Sequence, residues 1–236
     1  MTHIQQNIHR ITTQITQLEQ KFARQQGEVQ LLAVSKTKPI EMILDAYQAD
    51  QRSFGENYVQ EGVSKVVWFN AHHPEMTIDW HFIGPIQSNK TRQVAEHFDW
   101  VHTIDRSKTA QRLNDQRPAD MAPLQVLIQV NTSDEESKSG VMKEEVFELA
   151  QLISSLPNLT LRGVMSIPAN VNDYASQLQA FQALQQIKAQ LADKYPSVDT
   201  LSMGMSGDME AAIEAGSTIV RIGTAIFGAR DYANKQ

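Results

Sequence analysis

The feature that most constrains this chain is a repeating change of hydrophobic period. Short apolar runs of strand length alternate with amphipathic helical stretches from Val29 to the end. The strand-like runs are Val29–Ser35, Arg52–Glu56, Thr77–Ile83, Trp100–Ile104, Leu124–Val130, Leu159–Ile167, Val198–Met203 and Thr218–Ile222. The helical stretches between them start near Pro39, Tyr58, Ser88, Ser107, Lys143, Tyr174 and Asp208. Strand and helix in strict alternation predict a parallel sheet covered by helices, and eight such units predict a closed barrel. The expectation is an α/β fold: a single (β/α)8 TIM-type barrel spanning residues 1–236 as one domain. One more helix precedes it. Ile4, Ile8, Ile11, Ile15, Leu18 and Phe22 are spaced by fours and threes, one stripe of a helix expected to pack on the barrel and to end near Gly27.

Composition removes several functions. The net charge is −6, and no basic stripe tracks a phosphate backbone, so nucleic acid is not an expected partner. No apolar stretch spans a bilayer, and none resembles a secretory leader; a cytoplasmic location without membrane attachment is expected. With no cysteine there is neither a disulfide nor a thiolate metal site. His72-His73 precedes Pro74 in a polar stretch expected to be loop, and no metal site is expected there.

Active sites of such barrels form at the C-terminal ends of the strands. The first strand ends Leu32-Ala33-Val34-Ser35-Lys36-Thr37. Alternation puts Leu32, Val34 and Lys36 on one face. If that face looks inward, Lys36 stands at the mouth. Low dielectric favours the neutral amine that carbonyl addition needs. The alternative is a solvated strand-end lysine. The seventh strand runs into Ser202-Met203-Gly204-Met205-Ser206-Gly207-Asp208, and the eighth into Arg221-Ile222-Gly223-Thr224. Each glycine-rich turn could be ordinary turn chemistry, but two on consecutive strand ends suit a phosphate. Closing the barrel brings the first strand beside the eighth. A ligand with an aldehyde at one end and a phosphate at the other would bridge Lys36 and these turns, and pyridoxal 5'-phosphate has that shape. Arg221 alternates in register with Ile219, facing either the ring nitrogen of such a ligand or a carboxylate at the rim.

At these residues the chain resembles the pyridoxal phosphate homeostasis proteins, which share the barrel of alanine racemase. The resemblance covers nearly the whole chain. It is carried by Ala33–Pro39, Phe54-Gly55-Glu56-Asn57-Tyr58, Trp80–Lys90, Ser137-Lys138-Ser139-Gly140, Arg162-Gly163-Val164-Met165, the Ser202–Ser206 turn, Arg221–Thr224 and Phe227-Gly228. It implies a fold-type III cofactor barrel without the C-terminal β domain. It implies Lys36 as the Schiff-base lysine, Ser206, Gly223 and Thr224 on the phosphate, Arg221 at the pyridine nitrogen and Asn57 beside the ring. Lys38 is expected to lie beyond the pocket. His81 either approaches the ring or is a satisfied barrel histidine. Glu56 is a candidate for a structural ion pair, and the acidic run Asp134-Glu135-Glu136 before Lys138 is expected to be a solvated loop, with closure over the site from its strand's C-terminal end as the alternative.

Three functions compete. The first is a binding protein that buffers or delivers pyridoxal phosphate, with no catalytic residue of its own. The second is an amino-acid racemase or decarboxylase using the cofactor, and the third a Schiff-base aldolase using none. The resemblance favours the first. Racemases of this fold take a tyrosine base from a second domain of the partner subunit, for which this sequence is expected to have no room, and Tyr58 is expected to pack. Its partners would be the cofactor and pyridoxal-phosphate-requiring enzymes, with the chain itself a monomer.

Overall fold

The computed structural model describes residues 1–132, 139–167 and 172–229. Helix α1 (His3–Lys21) opens on a reciprocal cap, in which the Thr2 hydroxyl accepts the Gln5 N–H and the Gln5 side chain accepts the Thr2 N–H. Ile4, Ile8, Ile11, Ile15 and Leu18 are buried, as the stripe requires. The helix stops earlier than Gly27, with Phe22 as its cap and Ala23 in the left-handed region at φ 53°. Glu19 explains the difference. Its buried carboxylate accepts the N–H groups of Gly27 and Val29, turning the chain back toward the first strand.

Eight strands follow: β1 (Gln30–Val34), β2 (Ser53–Glu56), β3 (Asp79–Phe82), β4 (Trp100–Ile104), β5 (Leu124–Gln129), β6 (Leu159–Met165), β7 (Thr200–Ser202) and β8 (Ile219–Ile222). They pair in sequence order, all parallel, and β8 closes onto β1. Between them run α2 (Ile40–Tyr47), α3 (Val59–His72), α4 (Thr91–His97), α5 (Ser107–Gln116), α6 (Val146–Ser154), α7 (Tyr174–Lys194) and α8 (Met209–Glu214), with α9 (Thr224–Phe227) after β8. This is the eight-stranded parallel barrel with a leading helix that the alternation predicts. A second local expectation fails in α3. His72 belongs to α3, because its ring stacks on Trp68 one turn back, 4.5 Å between centroids, and its Nδ1 lies 2.9 Å from the Trp68 carbonyl.

The core has two compartments. The large one lies between the barrel and its helices and includes Phe54, Phe82, Phe98 and Ile104, all fully buried. The small one is inside the barrel, where Leu32, Ile83 and Ile219 meet with Val34 against them. Helix α1 packs on α2, α8 and α9 and so covers the β8–β1 seam. Among the described residues no helix is long and apolar enough to cross a membrane, and no three histidine or acidic side chains group as metal ligands.

Candidate functional site

The barrel's closing seam fixes the mouth. Leu32 pairs with Arg221 and Ala33 with Ile222, so Val34 comes against Gly223. A Cβ on Gly223 would lie 3.2 Å from the Val34 carbonyl oxygen, so any larger residue there would press on β1. Lys36 follows two residues after Val34, in the turn just beyond the end of β1, and is half-buried. Lys38 points elsewhere, its Nζ donating to the Ala229 carbonyl at 2.7 Å.

Lys36 is carried on a braced turn. The next residue, Thr37, is a non-glycine at φ 63°. Its N–H donates to Oε1 of Glu61 at 2.6 Å. Lys65, on α3 one turn after Glu61, spends its three donors on the Ser35 carbonyl, Oε1 of Glu56 and Oε1 of Glu61, at 2.8, 2.8 and 2.6 Å. The Ser35 hydroxyl donates to the same Glu56 oxygen at 2.5 Å. Burial pushes the Glu56 carboxyl up from its ordinary value, and Lys65 and Ser35 pull it back. The ion pair expected at Glu56 therefore exists, and its work is to hold both flanks of Lys36. Lys65 and Glu61 escaped the sequence reading, although their four-residue spacing on a helix was a usable signal.

Across the mouth, Ser206 and Gly207 are exposed in the β7–α8 turn. Their N–H groups have no acceptor among the described residues, whereas the neighbouring Met205 N–H is taken by Asp208 at 2.6 Å. Thr224 is exposed at the start of α9, where its own N–H and that of Ala225 have no acceptor among the described residues, whereas Ile226 and Phe227 both donate to the Gly223 carbonyl. Arg221 is buried. Its Nη1 donates to the Ser202 hydroxyl at 2.7 Å and its Nη2 to the Ser166 carbonyl at 2.9 Å. Burial lowers its pKa to about 10, with Asp208 opposing, so it stays a cation at neutral pH.

Asn57 sits just past β2. Gly84 passes so close that a Cβ there would fall 2.0 Å from the Asn57 carbonyl oxygen, which fixes the Asn57 backbone. Its Oδ1 is buried without a partner among the described residues. Asn57, Ile83, Thr103, Arg106, Gln129 and Ile167 border a cavity of about 250 Å³ on strand C-terminal ends. A larger cavity, about 680 Å³, opens at the opposite end beside Gln30, Trp100, Thr200 and Ile219. It is the weaker candidate, because its Arg162 and Arg24 are already paired with Asp199 and Glu28 and barrel chemistry gathers at the other end. Tyr58 does not pack: it is half exposed at the mouth. His81 lies inside the barrel with Nδ1 2.8 Å from Nε2 of His102, a partner the sequence reading missed. The acidic loop and Lys138 fall outside the described residues.

Residues 6–231 match the family model described as alanine racemase, N-terminal domain. The pyridoxal phosphate homeostasis protein of Vibrio alginolyticus is 72% identical over 233 residues, 99% of this chain and 100% of that one. This chain belongs to the pyridoxal phosphate homeostasis protein family. The Escherichia coli K12 member is 55% identical over 238 residues, covering 100% of both chains. Among solved structures, PipY of Synechococcus elongatus with pyridoxal phosphate bound superposes at a TM-score of 0.74. It is 32% identical over 91% of this chain and 100% of that chain. Alanine racemase of Corynebacterium glutamicum shares only the fold, at 16% identity and a TM-score of 0.72, with 99% of this chain matching 63% of that one.

Proposed function

We propose that this protein holds pyridoxal 5'-phosphate in the barrel mouth as a Schiff base on Lys36, and that it buffers or delivers the cofactor to enzymes in the cytoplasm instead of turning substrate over. The observation that carries the reading is the contact of Val34 with Gly223, which sets the end of β1, two residues before Lys36, beside the turn that carries Thr224. The relative with the cofactor bound supports it. The residues present fit such a ligand: unpaired N–H groups at Ser206 and Gly207 suit a phosphate, and the unpartnered Oδ1 of Asn57 suits a polar ring edge. The whole chain acts as one domain.

Lys36 supplies the amine, and the Glu56–Lys65–Glu61 brace aims it. Ser206, Gly223 and Thr224 hold the phosphate, Asn57 lies beside the ring, and Arg221 faces its nitrogen. When bound, the cofactor supplies an electrophilic aldehyde and an electron-accepting ring. Arg221 only donates hydrogen bonds and stays charged, so it keeps the opposing nitrogen unprotonated and weakens that electron sink. That disfavours chemistry at an amino acid's Cα, and the racemase alternative predicts the reverse.

Ser206 and Thr224 should each give a charge-assisted hydrogen bond of roughly 1.5–3 kcal/mol. With both changed to Ala, affinity for pyridoxal phosphate should fall by about 10²–10⁴-fold, and affinity for pyridoxal should change little. Titration followed by the yellow absorbance band measures both. A wild-type protein that never colours would sink the cofactor reading, and equal losses for the two ligands would sink the phosphate site. In a parallel arm, the loaded protein is incubated with L-alanine in D2O. The Cα proton should persist in the NMR spectrum, and exchange at an enzymatic rate would promote the racemase reading.

A further inference from the structure

Four side chains on four strands form one hydrogen-bonded line across the barrel. Nη1 of Arg221 lies 2.7 Å from Oγ of Ser202, which lies 2.9 Å from Nδ1 of His102. Nε2 of His102 lies 2.8 Å from Nδ1 of His81. All four residues are buried. The line ends at Nε2 of His81, which has no partner among the described residues, while the His81 ring stacks on Trp100 with centroids 5.2 Å apart and planes 7° apart.

We infer that this line has a single polarity, donating from Arg221 through Ser202 and His102 to His81, and that Ser202 and His102 are positioning residues that hold the Arg221 guanidinium toward the cofactor's ring nitrogen. The second half rests on the cofactor reading above; the first half does not.

The polarity follows from counting protons. A guanidinium only donates, so the Ser202 oxygen must accept from Arg221. Both imidazoles are neutral, because burial lowers His81 to about 3 and His102 well below its ordinary value, and the Arg221 cation opposes protonation of His102 further. One proton therefore lies between the two rings. If Ser202 donates to Nδ1 of His102, then His102 carries its proton on Nε2 and gives it to Nδ1 of His81. Only the Nε2–H of His81 is then unmet. In the opposite sense, His102 donates to Ser202, and the serine proton has no acceptor among its described partners. Nε2 of His81 is also left a bare acceptor. Two buried groups are then unmet instead of one, and each forfeits a hydrogen bond.

The consequence reaches the mouth. With its proton committed to His102, the Ser202 hydroxyl always presents a lone pair to Arg221. The Ser166 carbonyl takes the other terminal nitrogen at 2.9 Å. Two acceptors on the two terminal nitrogens fix the guanidinium plane, and Nε–H and one hydrogen on each terminal nitrogen remain for a ligand. The apolar half of the interior, Leu32, Ile83 and Ile219, offers no competing acceptor.

The test has two parts. In ¹⁵N spectra of the cofactor-free protein, His81 and His102 should both appear as neutral Nε2–H tautomers, unchanged from about pH 8 to about pH 5. A proton on Nδ1 of His102, or titration of either ring in that range, overturns the polarity. In the loaded protein, Ser202→Ala should shift the cofactor's absorbance maximum and weaken its binding about tenfold, near the worth of one hydrogen bond to a charged group, and Ser202→Thr should restore both. An unshifted band in Ser202→Ala overturns the positioning role. A wild-type protein that binds no cofactor overturns the reading on which that role rests, while the tautomers still decide the polarity.

Discussion

Lys36→Ala should leave the barrel folded and abolish the yellow band that forms when pyridoxal phosphate is added. Lys36 is half-buried at a strand end and belongs to neither compartment of the core, so its loss removes little packing. What it removes is the amine proposed to carry the cofactor just beyond the end of β1. Retention of the cofactor would then depend on the phosphate and ring contacts alone, and affinity should fall on the order of a hundredfold or more. Circular dichroism checks the fold and absorbance checks the colour. In the wild type, borohydride should fix the adduct, and peptide mass mapping should find it on Lys36. An adduct concentrated on Lys38, whose amine is held by the Ala229 carbonyl, would reverse the assignment.

The largest loss of stability is expected from Lys65→Met. Lys65 is buried with its three donors committed, and Glu56 is fully buried. Removing one member of a buried pair leaves the other charge uncompensated, at a cost of about 3–5 kcal/mol. Urea denaturation at neutral pH should read that deficit. Adding Glu56→Gln should recover part of it, because no buried charge then remains. The pH dependence has a definite sign. Burial already raises Glu56 above 4.5, and removing Lys65 takes away the largest opposing influence. A carboxyl raised in the folded state favours folding fully below its unfolded value and loses that contribution as pH rises through the folded value. The deficit should therefore be small near about pH 4 and greatest above neutrality. A deficit equal at both ends would mean that Glu56 is not the group left unpaired. Because the brace also holds Ser35 and Thr37, this variant should bind pyridoxal phosphate more weakly even where it is fully folded.

The sequence by itself determined the architecture and pointed to the strand ends where the proposed site lies. Periodicity is a local property, so the stripe from Ile4 to Leu18 and the eight apolar runs could be read without knowing what they touch. Parallel closure followed from their order, and barrel closure put the ends of β1, β7 and β8 together. Local patterns were least informative at boundaries. Nothing near Gly27 announced that Glu19 would pull the chain out of its helix early, since that carboxylate acts on residues eight and ten positions away. His72 looked like loop because its stacking on Trp68 is a side-chain contact that hydropathy does not register.

Only the tertiary structure decided what supports the site. The Glu56 pair could be suspected from a buried acidic residue, but its partner Lys65 sits on the following helix, and its second carboxylate, Glu61, reaches back 24 residues to the Thr37 N–H. The line from Arg221 to His81 joins β8, β7, β4 and β3, and its middle bond spans 100 residues of chain. No periodicity carries such pairings. They exist because a closed barrel brings strands far apart in sequence around one interior, where a buried polar side chain gains by meeting a partner carried on another strand.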